Sequence, residues 1–277
     1  MSVLTSTTLP TVGAPNRDQK MPFLLQVTTM TWRSLVIVSR NPAEVLPGIL
    51  ISVFFLFVQS ASLGSGSNFI PGLAGKSYLG FVLPLSIISS ALSGAGIAGF
   101  SIVRDIERGY FSKLLLTPIS RAALLLGPIL AGALVLGLQA TTVLLVGLLL
   151  GLQPATGLLG ILALLGVSVL VGTAFAGFTV AIALRTGSAG ATQGASFIFF
   201  PLTFLTASYV PLSLLTGWLK TAATYNPVTY ILDAGRSLML DGWNGELLLR
   251  AVVTCLIMGA VTFSFALASL RARTKRS

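Results

Sequence analysis

Five long stretches of this 277-residue chain carry no charged side chain: 45–75, 77–103, 122–184, 186–219 and 251–270. A helix needs roughly 20 apolar residues to cross a bilayer, and a charge at its centre costs about 3 kcal/mol or more. The stretches therefore read as membrane spans. Transporters driven by ion or proton gradients keep acidic or basic groups inside such spans. None lies inside these, so the energy for any transport must enter elsewhere.

Composition agrees. Residues are 54% hydrophobic and only 9% charged, against about 25% charged in an ordinary soluble domain. The net charge of +10 does not point to nucleic acid. The basic residues sit at the edges of apolar runs and form no stripe interleaved with aromatics, which is the pattern of membrane orientation. There is no His, and the one Cys, Cys255, lies in the last apolar run. An intrachain disulfide is impossible, and with no His and a single Cys a metal or catalytic site built on those residues is close to excluded. The first 20 residues are polar, unlike a cleavable signal.

The expected fold is an all-α integral membrane protein. Residues 1–20 read as a mobile tail. Residues 21–40 are apolar with Gln26, Thr29, Arg33 and Arg40 on one helical face and Trp32 suited to an interface, the pattern of an amphipathic helix on the membrane surface. Asn41-Pro42-Ala43-Glu44 predicts a capped start with a closed capping box. Six spans follow, near 42–63, 77–103, 122–150, 157–184, 191–210 and 247–270. Gly64–Gly75 is a loop, and the Gly/Pro-rich break at 151–157 divides spans three and four. Residues 104–121 form a charged loop. Residues 211–245 are expected as two short outer helices, re-entrant or interfacial, with Asn226-Pro227 starting the second. The basic tail is 271–277.

Six spans place both termini on one side. That side holds Arg17, Lys20, Arg33, Arg40, Arg104, Arg108, Lys113, Arg121, Arg185, Arg271, Arg273, Lys275 and Arg276; the other holds Lys76, Lys220, Arg236 and Arg250. The bias toward basic residues makes the first side cytoplasmic.

Two motifs mislead. Gly75-Lys76-Ser77 resembles the end of a phosphate-binding loop, but the required first Gly falls at Ile70. Gly94-Ala95-Gly96-Ile97-Ala98-Gly99 matches a dinucleotide fingerprint, yet it sits inside span two. Ala91, Ala95 and Gly99 repeat every four residues, as in close packing of membrane helices.

The segment RDIERGYFSKLLLTPISR, residues 104–121, alternates charge and is pinned between two spans, which suits docking of a soluble partner. It resembles the cytoplasmic loop of ABC type-2 exporter permeases. Glu107, Arg108, Gly109, Lys113, Leu114, Leu115, Thr117, Pro118, Ser120 and Arg121 fit that family's pattern; Tyr110 and Ser112 depart from it, Ser112 replacing a carboxylate. A second stretch, GWLKTAATYNPVTYILDAGRSLM, resembles the same family's outer-helix region through Trp218, Asn226, Pro227, Tyr230, Asp233 and Arg236. The resemblance covers about residues 21–270 and is nearest to daunorubicin-resistance-type permeases.

The resemblance implies the membrane half of an ATP-driven exporter in a bacterial inner membrane. It implies two copies of an ATP-binding subunit, which carry ATP and Mg, and a second permease in a homodimer or heterodimer. This chain has no Walker motif and no ATPase site of its own. Arg104, Asp105, Glu107, Arg108, Gly109 and Lys113 would form the coupling segment that meets the ATPase. The family's cargo path uses spans one, two and five. Phe54, Phe55 and Phe57 of span one, with Gln193, Phe197, Phe200, Thr203 and Phe204 of span five, favour a hydrophobic or amphiphilic cargo such as a drug, lipid or glycoconjugate. The alternative is a gradient-driven secondary transporter, which would need titratable groups within the spans.

Overall fold

A computed structural model describes residues 21–63, 76–198, 200–206 and 212–275. The expected tail 1–20, the loop at 64–75 and the last two residues lie outside it. Every regular element described is helical, as a hydrocarbon environment requires when each backbone group must find its partner within the chain.

Helix α1 (Phe23–Ser39) is followed by a 3-10 turn at Pro42–Glu44 and then by α2 (Leu46–Leu63). The capping box expected here does not form. Asn41 makes no side-chain cap bond, and Glu44 reaches instead to Arg104, sixty residues away. A bidentate ion pair with a guanidinium outweighs a single bond to a backbone N–H.

Helix α3 (Tyr78–Glu107) is capped by Ser77 and runs through the first residues of the expected charged loop. It ends in a left-handed Gly109, with φ of 67°, the backbone geometry glycine adopts at little cost. Helix α4 (Tyr110–Leu115) is only six residues long, and α5 (Arg121–Leu149) follows behind the Ser120 cap. Helix α6 (Gly157–Thr186) pairs with α3, α5 and with the last helix, α11 (Gly245–Thr274). Asn244 caps α11 through bonds to the N–H groups of Glu246 and Leu247, so this span starts slightly earlier than expected.

Close approach of α3 and α6 rests on small residues. The Thr179 hydroxyl donates to the Ala95 carbonyl at 2.6 Å. A Cβ at Gly99 would lie 3.0 Å from the Thr179 carbonyl oxygen. The spacing of Ala95 and Gly99 is therefore a packing stripe; the Ala91 side chain lies outside what is described.

The fifth expected span, 191–210, needs correction. It is not one continuous helix: α7 (Ala189–Phe197) ends, and α8 (Phe200–Phe204) is a separate short piece. Pro201 has no N–H to give the Phe197 carbonyl, and its ring crowds that position. Among the described residues five helices are long and apolar enough to cross a membrane. The chain still changes ends in this region. Gly187 lies beside Ile106 and Arg273, whereas Asp241 pairs with Lys76 at the opposite end.

The two outer helices are α9 (Gly217–Tyr225) and α10 (Pro227–Arg236), with a π turn over Ser237–Asp241. Ile231 lines a small gap with Val171 and Ile88, and Val228 joins the buried cluster containing Cys255. Cys255 is ten residues into α11, about 15 Å along it. Helix α10 thus packs inward to the level of the middle of α11, and the chain then returns toward the end held by Lys76 and Asp241.

Candidate functional site: a cavity beside a charged hairpin

Helices α2, α3, α7 and α8 enclose a cavity of about 380 Å³. From α2 and the turn before it come Glu44, Pro47, Gly48, Ile51, Phe55 and Gln59; from α3 come Leu85, Ser89, Ile97 and Phe100; from α7 and α8 come Gln193, Ser196, Phe197, Thr203 and Phe204. The volume is within the range of small-molecule sites, and an apolar wall with a few polar groups is their usual make-up.

Among the described residues its only charged lining residue is Glu44. The Glu44 carboxylate is held by Arg104, with Nη1 to Oε1 at 2.7 Å and Nη2 to Oε2 at 3.0 Å. The cavity is therefore close to neutral. Gln59 lines the same wall about four turns along, and its Oε1 is buried without a hydrogen-bond partner among the described residues. An unpartnered buried acceptor is costly, so a ligand that donates there gains from satisfying it.

Of the cargo residues expected from sequence, Phe55, Gln193, Phe197, Thr203 and Phe204 come together in this cavity. Phe54 and Phe57 do not line it; they are exposed on the outer face of α2. The Phe200 side chain lies outside what is described. One helix cannot turn three residues as close as 54, 55 and 57 toward the same space. Sequence reasoning expected span two on this path without naming its residues, and it missed Pro47, Gly48 and Gln59. Gln59 was detectable as the one polar amide in span one.

The α2 wall is thinly covered. Only 17% of its most apolar stretch is buried, against 93% for α3. Phe197 and Ile198 are likewise exposed, at 61% and 62%.

The charged segment divides into inward and outward groups. Asp105 is buried and accepts from both guanidinium nitrogens of Arg33 on α1, at 2.8 Å and 2.5 Å. Burial works against the Arg33 charge, but the Asp105 hydrogen bond and charge outweigh it and hold the Arg33 pKa above its ordinary value. The same guanidinium sits 4.5 Å from the centre of the Tyr110 ring on α4. At the far end of the hairpin, Gln26 of α1 accepts from the Ser120 N–H at 2.8 Å. Helix α1 therefore grips both ends of the segment. Glu107, Arg108, Gly109 and Lys113 are exposed. Phe111 and Leu114 of α4 are buried with Ile102, Leu124, Leu184 and Leu270, so α4 is keyed into four other helices.

The outer-helix residues have separate tasks. The Asn226 amide donates to the Leu202 and Leu205 carbonyls at 2.6 and 2.9 Å, while its Oδ1 accepts from Val228. The Thr206 and Thr229 hydroxyls bond at 2.7 Å. These contacts fasten α8 to α10. Pro227 occupies the first turn of α10. The Tyr230 hydroxyl donates to the Thr224 carbonyl. Arg236 donates to the Phe81 carbonyl at 3.1 Å, and its guanidinium carbon lies 3.6 Å from the centre of the Phe81 ring. Asp233 is one turn before Arg236 and half-buried, and Trp218 is exposed. None of these six lines the cavity.

The sequence model of the ABC-2 type transporter family matches residues 25–240. The chain is also similar to the doxorubicin-resistance ABC transporter permease protein DrrC of Mycobacterium tuberculosis. The two are 26% identical over 220 residues, 79% of each chain. The transport permease ycf38 of Cyanophora paradoxa is 24% identical, over 78% of this chain and 74% of its own length. The multidrug ABC transporter permease YbhR of Escherichia coli is 25% identical, over 70% of this chain and 53% of its own length.

Proposed function

This chain belongs to the ABC-2 type transporter family, and we propose that it is the permease of an ATP-driven exporter that moves a neutral or amphiphilic hydrophobic molecule out of the cytoplasm. The relatives' names point the same way, toward drugs. ATP and Mg reside on a separate ATP-binding subunit. A second permease, identical or related, faces the exposed α2 wall. Both termini lie in the cytoplasm, and the membrane is the bacterial inner membrane.

The observation that carries this reading is the ion pair between Glu44 and Arg104. It joins the floor of the cavity to the end of α3 that enters the charged hairpin. Glu107, Arg108 and Lys113 face outward to meet the ATP-binding subunit. A push on them reaches the bundle through Phe111 and Leu114. It reaches α1 through Arg33, and α2 through Arg104 and Glu44. Arg104 and Asp105 act here as internal braces rather than as docking groups. The cargo's apolar body fits the Phe55, Phe197 and Phe204 walls, and a hydroxyl, amine or amide on it donates to Gln59. Two packings of α2 against α7 and α8, open inward or outward, would carry it across.

The test is reconstitution with a cognate ATP-binding subunit, in liposomes, with a fluorescent amphiphile such as an anthracycline as reporter. Transport should require ATP and persist when an ionophore removes any pH gradient. Transport by the permease alone under a proton gradient would overturn the reading in favour of a gradient-driven carrier.

A further inference from the structure

We propose that the corner between α4, α5 and the end of α11 binds the headgroup of an anionic phospholipid. A separate cavity of about 250 Å³ lies there, lined by Leu114, Leu115, Ile119, Arg121, Leu124 and Thr274. It shares no residue with the cavity between α2, α3, α7 and α8. Four apolar side chains surround one guanidinium, which matches a ligand with a phosphate at one end and hydrocarbon at the other.

Arg121 is exposed, and among the described residues it makes no ion pair or side-chain hydrogen bond. It is also the first residue of α5. A cation is unfavourable at that position, because the helix dipole already places partial positive charge there. A local choice that works against its own helix is where a functional demand is expected. The dipole and the guanidinium together favour an anion at this point. Arg121 also stands where the polar hairpin gives way to the long uncharged run, at the level of the headgroups.

Competing groups are few. Near this end the described carboxylates are Glu44, Asp105 and Glu107, and the first two are engaged by Arg104 and Arg33. The Thr274 hydroxyl bonds back to the Arg271 carbonyl, and Arg273 donates to the Leu184 carbonyl. Arg121 is thus the group left to meet a phosphate. Arg271 and Lys275 line a groove on the same helix, about 60° and about 100° from Thr274 around it. They add to the positive field that draws anionic lipid to a cytoplasmic surface.

Purified permease in a neutral detergent, titrated with phosphatidylglycerol, phosphatidylcholine or inorganic phosphate and read by native mass spectrometry, tests the site. Wild type should retain phosphatidylglycerol at about tenfold lower concentration than phosphatidylcholine. Arg121→Gln should remove most of that preference and leave phosphatidylcholine retention unchanged. Leu115→Trp, which fills the cavity and keeps every charge, should do the same. The lipid-free melting temperature of each variant shows whether it is folded. If Arg121→Gln fails to fold, Leu115→Trp alone decides the matter. Wild-type phosphatidylglycerol retention in a folded variant would overturn the proposal. So would equal displacement of the lipid by inorganic phosphate, which would mark a free-anion site. Loss of binding to the ATP-binding subunit with lipid retention intact would also overturn it, making the corner a protein interface.

Discussion

Helix α3 and the α7–α8 segment contain the same helix-weakening residues and meet opposite fates. Helix α3 holds Pro84 with Gly94, Gly96 and Gly99, yet runs unbroken for 30 residues. The α7–α8 segment holds Pro201 with Gly190 and Gly194, and breaks. The difference is burial. Helix α3 is surrounded by α2, α5, α6 and α10, and Pro84 packs against Gly235 of α10. Tertiary packing there overrides a poor local propensity. The α7–α8 segment has an exposed outer face, so Pro201 acts as it would in an isolated helix. On the proposed function, the rigid hub would transmit force and the loosely covered wall would repack around a cargo.

The largest effect should come from disturbing the hub. Gly99→Val places a side chain against the Thr179 carbonyl and Thr192. Overpacking of this kind costs about 1–3 kcal/mol, and more against backbone. We expect loss of most folded, monodisperse protein on detergent extraction. Normal yield would break the contrast between hub and wall.

Next comes the grip of α1 on the hairpin. Asp105→Ala leaves the half-buried Arg33 without its partner, at a cost of about 1–3 kcal/mol. The melting temperature should fall by several degrees. Arg33→Ala with Asp105→Ala should recover part of the loss, because no charge is then stranded. A double variant as unstable as the sum of the two singles would show that the pair does not couple them.

Asn226→Ala should cost about 2 kcal/mol, since it strands two carbonyls of α8 and removes the cap of α10. Its effect on transport should exceed its effect on melting, because it loosens the wall and leaves the hub intact. Equal loss of both would erase that distinction.

Most of the scaffold was legible in the sequence. The charge-free runs gave the long helices to within a few residues, because a span's length and polarity are fixed by the bilayer. The small-residue stripe through Ala95 and Gly99 was read correctly as packing. The pairs Arg33–Asp105 and Glu44–Arg104 were not visible. Their partners lie 72 and 60 residues apart, and each residue had an adequate local explanation as a positive-inside charge, a cap or a docking group. The break in span five was hidden for the opposite reason. Pro84 and Pro201 look alike in sequence, and only their surroundings decide which one ends a helix. Phe54 and Phe57 fall outside the cavity that Phe55 lines because three aromatics so close on one helix cannot all face one space.

The smallest effect should be at the wall. Phe197→Ala on the exposed face should change stability by less than about 0.5 kcal/mol, while weakening retention of an amphiphilic reporter several-fold. A marked drop in melting temperature would mean that Phe197 is part of the structural core.

The central claim is that force passes from the hairpin to the cavity through Glu44 and Arg104. A charge exchange measures it directly in liposomes with the ATP-binding subunit. Glu44→Arg alone and Arg104→Glu alone should each abolish transport while ATP hydrolysis continues. The two together should restore a substantial part of it, because the pair is re-formed with its ends reversed. Transport at the wild-type rate by either single variant would contradict the claim, as would a folded double variant that transports no better than the singles.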